Sequence, residues 1–389
     1  MIQLTSTLSV RTAEIRRSKA SSHAICVVMP AFEGGGAQRD TILLCNALAA
    51  KGVPVTILIL RNYGPMRSLV DSAVLVIEIP GQRIRYAIPG LRRAFRRLKP
   101  RLVVGSESNL NLSCLLAARS LPRGIRPKVV LREVGSPSAA QKYDPCWQNR
   151  FAYRILRLMY RNADRVITLT NGARLDLIDN FSVPAKKVSA MCSNAVITPE
   201  VADRIARWDG EQGREGDLII SVGRLSPEKN HRLLLQALVL LNRKRACRLV
   251  LVGEGKERPA LEEFVNANGL SQQVTFVGYA SDPFAWLMRA QLAVCSSVYE
   301  GLCNAIIEAL GCGTPVVSTD CPFGPREILQ NGRYGTLVPL GDPAALASAM
   351  DAALDRPVDR AILIGRALDY TADRAAENFL EIVSDLYIT

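Results

Sequence analysis

At 389 residues and 48% hydrophobic content, the chain is too long for one core and too apolar for a disordered protein, which points to two domains. Its net charge of +13 is uneven, with +18 in residues 1–200 and −5 in residues 201–389. Aromatics make up only 6% and no nucleic-acid motif accompanies the basic half, which argues against a nucleic-acid partner and leaves an anionic membrane surface or an anionic substrate.

Residues 1–22 are polar and basic, lack the apolar stretch of a signal peptide, and read as a flexible N-terminus. From Ala24 onward short apolar strands alternate with amphipathic helices. Strands are expected at Ala24–Met29, Val53–Leu60, Leu102–Val104, Lys128–Leu131 and Arg165–Leu169. Helices are expected at Ala37–Ala50, Asn111–Arg119, Phe151–Asn162 and Gly172–Asn180. The densest basic run, Arg92 to Lys99, has helical spacing that puts Leu91, Phe95 and Leu98 on one face. It reads as a solvated helix face or as a surface helix drawn to anionic lipid.

Residues 201–216 are polar and read as the interdomain linker. The alternation then restarts, with strands at Leu218–Val222, Arg248–Val252, Val274–Val277 and Leu292–Cys295, and helices at His231–Asn242 and Glu257–Asn268. A further helix is expected to run from Glu300 at its mouth to Glu308, a little over two turns inside. The helices from Pro343 onward lack strand partners and are expected to pack across both domains. Two successive βα arrays imply an α/β protein of two doubly wound sheets with a cleft between them. The first domain is assigned to 23–200, the second to 217–365, and 366–389 to a C-terminal helix turned back toward the first.

No run approaches the apolar length of a membrane span, so a cytoplasmic protein, peripheral at most, is expected. The ten cysteines include no C-x-x-C pair. Cys295, Cys303, Cys312 and Cys321 lie eight or nine residues apart, which is poor metal-ligand spacing, so buried reduced thiols and no metal are expected.

The chemistry-bearing segments all follow strands. Glu33 to Arg39 contains Gly34, Gly35 and Gly36 at a helix start, where backbone amides can approach an anion, but it has neither G-x-G-x-x-G order nor a P-loop lysine. In the second array, Arg224 and Lys229 project from the loop after Ser221-Val222-Gly223 and suit a diphosphate. Gly253 and Glu254 suit close approach to a base or sugar, and Val277 and Tyr279 an apolar wall for a nucleobase. Arg326 and Glu327 frame the same cleft. Glu308 on the inner part of a helix is costly without a polar partner, so Glu300 and Glu308 are site candidates.

Gly-Arg-Leu-Ser-Pro-Glu-Lys-Asn (223–230), Val-Gly-Glu-Gly (252–255), Val-Gly-Tyr (277–279) and Tyr-Glu-Gly-Leu-Cys-Asn-Ala-Ile-Ile-Glu-Ala (299–309) together resemble the retaining family 4 glycosyltransferases of GT-B fold. The resemblance spans roughly residues 24–389 and is most specific from Ser221 to Asp342. It implies two Rossmann-like domains facing a central cleft, and transfer of a hexose or N-acetylhexosamine from a nucleotide-sugar. Arg224 and Lys229 would hold the diphosphate, and the Leu302 and Cys303 amides the distal phosphate. Glu300 would bind sugar hydroxyls and Glu308 the ribose. Gly301 and Asn304 belong to the same donor-binding turn, and Gly35 and Gly36 would close over the phosphates or acceptor. No D-x-D is present, and no metal or other cofactor is implied.

Relatives carry a histidine in the first domain near the sugar. This chain has only His23, which reads as incidental, and His231, which reads as structural. Glu133 or Arg132 is expected to stand in for it. The segment 318–329 is similar to bacterial enzymes that act on polyprenyl-diphosphate-linked acceptors. That implies a UDP-sugar donor with GDP-mannose second, a lipid-linked or glycan acceptor, and a basic first domain held on an anionic inner-membrane surface. The alternatives are a nucleic-acid-binding protein on a degenerate scaffold and a GT-B epimerase.

Overall fold

A computed structural model of the protein describes residues 25–80, 86–143, 157–208, 214–356 and 358–387. The N-terminus assigned to 1–22, His23, the start of the helix expected at Phe151, and residues 209–213 of the expected linker lie outside the described residues.

Two wholly parallel sheets form. The first holds β1 (Ile25–Ala31), β2 (Val55–Arg61), β3 (Leu75–Glu78), β4 (Leu102–Gly105), β5 (Lys128–Glu133), β6 (Arg165–Thr168) and β7 (Val188–Ala190), in the order β3-β2-β1-β4-β5-β6-β7. The second holds β8 (Glu215–Val222), β9 (Arg248–Val252), β10 (Val274–Gly278), β11 (Ala290–Cys295), β12 (Val316–Thr319) and β13 (Thr336–Val338), in the order β10-β9-β8-β11-β12-β13. Helices cover both faces, so the central strands are near-continuous apolar runs, and every residue of β1 is buried. Strand order reverses between β1 and β4 and again between β8 and β11. Loops leaving the carboxyl ends of strands at such a reversal diverge and open a crevice. The Gly34–Gly36 loop follows β1, the Arg224 loop follows β8, and the Glu300 loop follows β11.

The last helix, Ala372–Tyr387, returns to the first sheet, where Ala375, Ala376, Phe379 and Val383 join the layer formed by helix Gly36–Ala50 and β1–β2. Fully burying a side chain such as Phe379 contributes about 1.5–3 kcal/mol. The helices Pro343–Asp355 and Arg360–Ala367 instead remain on the second sheet through Leu346, Met350 and Leu363. The expectation that the helices from Pro343 onward pack across both domains is corrected for these two, whose apolar faces find partners on the second sheet.

Helix Ala87–Leu98 buries Leu91 and Phe95 in the opposite layer of the first sheet and exposes Arg92, Arg93, Arg96 and Arg97. Its apolar face is occupied by the core, so only its charge is available to a lipid surface. No described helix is long and apolar enough to cross a membrane. Part of the expected linker is folded as helix Pro199–Arg207. Thr198 caps it, its hydroxyl accepting from the Val201 amide at 3.3 Å, Pro199 takes the first turn, and Ile205 is buried. β8 also begins within that span, at Glu215.

His231 opens helix His231–Leu241 and is buried, its Nδ1 unbonded among the described residues. Burial, reinforced by the Lys229 charge beside it, pushes its pKa down to about 4 from 6.5. The folded state thus favours the neutral ring, and the contribution to stability is complete above about pH 6.5 and falls as pH drops toward 4. In urea melts at a series of pH values, the stability advantage of wild type over His231→Gln should shrink by about 3 kcal/mol between neutrality and pH 4. A difference independent of pH would refute this.

Candidate functional site

The loops at the two strand-order reversals enclose a cleft of about 530 Å³, within the range of small-molecule sites. Its floor is the segment from Glu300 to Glu308. The helix there begins at Asn304, not at Glu300, because Cys303 takes a left-handed conformation (φ 75°) and caps the start. Glu300 therefore stands on the preceding loop, and Glu308 lies in the second turn rather than two full turns inside. Among the described residues the amides of Leu302 and Cys303 make no hydrogen bond, and they stand at the positive end of the helix.

Glu300 is almost buried. Its Oε1 accepts from Lys229 Nζ at 2.5 Å and from Ser297 Oγ at 2.6 Å, and its amide donates to the Pro322 carbonyl at 2.7 Å. Burial alone would lower the Lys229 pKa, but the adjoining Glu300 carboxylate overrides it and holds the ammonium well above its ordinary range. Lys229 is placed by its own backbone, whose carbonyl accepts from Ser296 Oγ at 2.9 Å. Arg224, on the same loop, is exposed to the cleft and forms no ion pair among the described residues. Its guanidinium lies against Gly35, where an added Cβ would stand 3.2 Å from Nη2.

Glu308 finds its partner across the cleft. Arg39 Nη1, from the first turn of helix Gly36–Ala50, is 3.5 Å from Glu308 Oε1. Burial raises the Glu308 pKa and the Arg39 charge partly offsets this. Asn304 spans the same gap, its Nδ2 donating to the Gly36 carbonyl at 3.1 Å while its Oδ1 accepts from Asn194 Nδ2 at 2.9 Å. Gly253, Glu254, Tyr279, Gly301, Gly35 and Gly36 also line the cleft, with Gly34 packed on the Tyr279 ring.

Other expected residues point elsewhere. Val277 packs into the core of the second domain rather than lining the cleft. Glu133 is buried beneath it, where its Oε1 accepts from Ser108 Oγ at 2.7 Å and the Gly135 amide at 3.0 Å, and its Oε2 from the Tyr160 hydroxyl. Burial raises its pKa against those bonds. Arg132 is wholly enclosed, bonded to Asp40 at 2.5 Å and to Thr41 Oγ1 at 3.0 Å. Neither reaches the cleft, so the substitute for the missing histidine is not found there. Arg326 pairs with Asp320, and Glu327 accepts from the amides of Gly172 (2.7 Å) and Asn171 (3.0 Å), capping helix Asn171–Asp179 outside the main cleft.

The residues missed from sequence are Arg39, Asn194, and the pair Gln38–Glu107. Glu107, half-buried at the end of β4, accepts from Gln38 Nε2 at 3.1 Å. Burial raises its pKa, against the Gln38 bond and the Arg224 charge. Its place after a central strand at the order reversal was the available signal. The domains meet closely at Gly301, where an added Cβ would stand 1.9 Å from the Val134 carbonyl oxygen. Gly301→Ala should cost about 1–3 kcal/mol in chemical denaturation and weaken nucleotide binding together with it. Wild-type behaviour in both would show that the contact is slack.

Residues 35–192 match the family described as glycosyl transferase 4-like domain, and residues 216–356 the family described as glycosyl transferases group 1. The chain is 27% identical over 271 residues to an N-acetylgalactosamine-N,N'-diacetylbacillosaminyl-diphospho-undecaprenol 4-alpha-N-acetylgalactosaminyltransferase of Campylobacter jejuni, covering 69% of this chain and 72% of the relative. It is 28% identical over 326 residues to the lipopolysaccharide core biosynthesis glycosyltransferase LpsE of Rhizobium meliloti, covering 82% of this chain and 85% of that one. Among solved structures, Anabaena HepE in complex with UDP and glucose superposes with a TM-score of 0.75 at 17% identity, covering 93% of this chain and all of that one.

Proposed function

Since the chain belongs to the family 4 type of GT-B glycosyltransferases, we propose that it transfers a hexose or N-acetylhexosamine from a UDP-sugar to a polyprenyl-diphosphate-linked saccharide, with retention of anomeric configuration. The observation that carries this is the Lys229–Glu300 pair at 2.5 Å beside unengaged helix-start amides on the floor of the cleft. That arrangement offers cations to a diphosphate and a carboxylate to sugar hydroxyls within one small volume.

In this reading the diphosphate lies between Arg224, Lys229 and the Leu302 and Cys303 amides. Glu308 accepts from the ribose hydroxyls, with the Arg39 charge offsetting part of the cost of its burial. The acceptor oxygen attacks C1 of the sugar from the face the diphosphate leaves. The C1–O bond to phosphate breaks as the new one forms, and the departing phosphate oxygen takes the acceptor proton. Negative charge builds on the diphosphate, where Arg224, Lys229 and the helix amides already point, so this proposal needs no metal. In this reading Glu107, bonded to Gln38 and within the field of the Arg224 charge, meets acceptor hydroxyls from the first domain.

The acceptor class is supported by the Campylobacter jejuni relative, whose name specifies a diphospho-undecaprenol substrate, and UDP by the HepE complex. We further place the protein on an anionic cytoplasmic membrane face through Arg92, Arg93, Arg96 and Arg97, by charge rather than insertion. Nucleic acid has no part in this reading.

A panel of UDP- and GDP-sugars, scored by nucleotide release with a lipid-diphosphate saccharide acceptor, tests the donor. UDP-sugars should turn over, and turnover of GDP-mannose alone would overturn it. Glu300→Gln should lower kcat/KM by about 10- to 100-fold, the worth of a hydrogen bond to a charged group. Undiminished turnover would remove Glu300 from the sugar site.

A further inference from the structure

The spacing of Cys295 and Cys303 along the chain is poor for a metal, but the fold overrides it. β11 ends at Cys295, the chain turns through Ser297 and Glu300, and the left-handed residue Cys303 brings its side chain back. The two sulfurs are 3.5 Å apart. Ser297 Oγ lies 3.4 Å from Cys295 Sγ and 2.6 Å from Glu300 Oε1. One ligand atom from each of Cys295, Cys303 and Glu300 lies within 4.8 Å of the other two, the one such group among the described residues. Two thiolates about 2.3 Å from a tetrahedral ion stand roughly 3.8 Å apart, so the sulfurs are close to that geometry already.

There is also room. A void of about 20 Å³ is lined by Lys229, Cys295, Ser297, Glu300 and Cys303, more than the roughly 10–15 Å³ that seats one water. A non-glycine residue at φ 75° is an uncommon conformation, and here its effect is to aim a thiol at a second thiol.

We propose that Cys295, Cys303 and Glu300 form a site for a thiophilic divalent cation such as zinc or cadmium, and that filling it blocks the donor subsite. Binding releases the two thiol protons to solvent. The two thiolates and the Glu300 carboxylate then balance the dication and the Lys229 ammonium. The occupied site is as neutral as the resting one, so no buried charge is left uncompensated. Three protein ligands leave a fourth position for water or Ser297 Oγ, which is the open arrangement of an exchangeable rather than a structural site. Once ligated, the Glu300 carboxylate is no longer free to accept from sugar hydroxyls. That blockade rests on the donor reading above, whereas the site itself does not.

The full chain, stripped with EDTA, is titrated with cadmium while the ultraviolet thiolate-to-cadmium charge-transfer band is followed. The band should saturate at one ion per chain. Cys295→Ala should weaken binding at least about tenfold, the low end of what losing even a supporting group costs, and Cys247→Ala should leave it unchanged. No band in the wild type, or the same band in Cys295→Ala, overturns the site. If Cys295→Ala does not fold, cadmium should protect Cys295 and Cys303 of the wild type from alkylation in peptide mass spectrometry, and full alkylation of both overturns it. Zinc should then weaken UDP-sugar binding at least about tenfold, and unchanged affinity overturns the blockade. A failure of the donor reading is separate, seen as no UDP-sugar binding to the metal-free chain.

Discussion

Two carboxylates, Glu300 and Glu308, are buried on the floor of one cleft, and an ionised carboxylate taken out of water without a partner costs several kcal/mol. The surrounding chain is arranged around that requirement. Glu300 is met from its own domain, by Lys229 on the loop after β8 and by Ser297. Among the described residues Glu308 finds its ion-pair partner in the other domain, in Arg39. The inner carboxylate is thus compensated when the first sheet's opening helix lies against the second sheet's loop, which ties the charge state of the floor to the approach of the two domains. A ribose offering hydroxyls to Glu308 would enter a site already held polar and would not have to create one.

That approach demands that side chains be absent at the contact points. Gly301 lets the Val134 carbonyl come up to the floor, and Gly34 and Gly35 let Tyr279 and Arg224 lie against the opposite loop. Gly253, in a left-handed conformation (φ 148°), passes so near the Gly223 carbonyl that a Cβ would stand 1.9 Å from its oxygen. Gly301 and Gly253 occur where backbone approaches backbone, and Gly34 and Gly35 where a side chain from the other domain lies against the loop.

The second domain was largely legible in the sequence because its strands are uninterrupted apolar runs ending in glycine loops, and Arg248–Val252 matches the observed β9 residue for residue. The edge strands β3, β7 and β13 were missed, since four, three and three residues carry too little periodicity to register. Helix Pro199–Arg207 was missed although Thr198-Pro199 is a helix-start signal, because the polar composition of the span outweighed it. Within the site, the partner of Glu308 was illegible because Arg39 lies 269 residues away and only the fold brings them together. Glu133 misled for the opposite reason. In a strand buried on both faces, residue type does not say which way a side chain turns, and here it turns to Ser108 and Tyr160.

The return of the last helix to the first sheet has a mechanical consequence. The chain passes between the sheets twice, and the two passages lie together, with Ile197 and Thr371 paired in parallel. The Val196 and Ile197 amides donate to the Tyr370 carbonyl at 3.2 and 3.1 Å, and the Ala372 amide donates to the Ile197 carbonyl at 2.9 Å. A single strand between two bodies behaves as a swivel, free to twist as well as bend. A laced pair behaves as a door hinge, which resists torsion and leaves bending about one axis as the soft motion. A cleft that opened along that axis would close with Arg39 on Glu308 and Gly301 on Val134 in the same register.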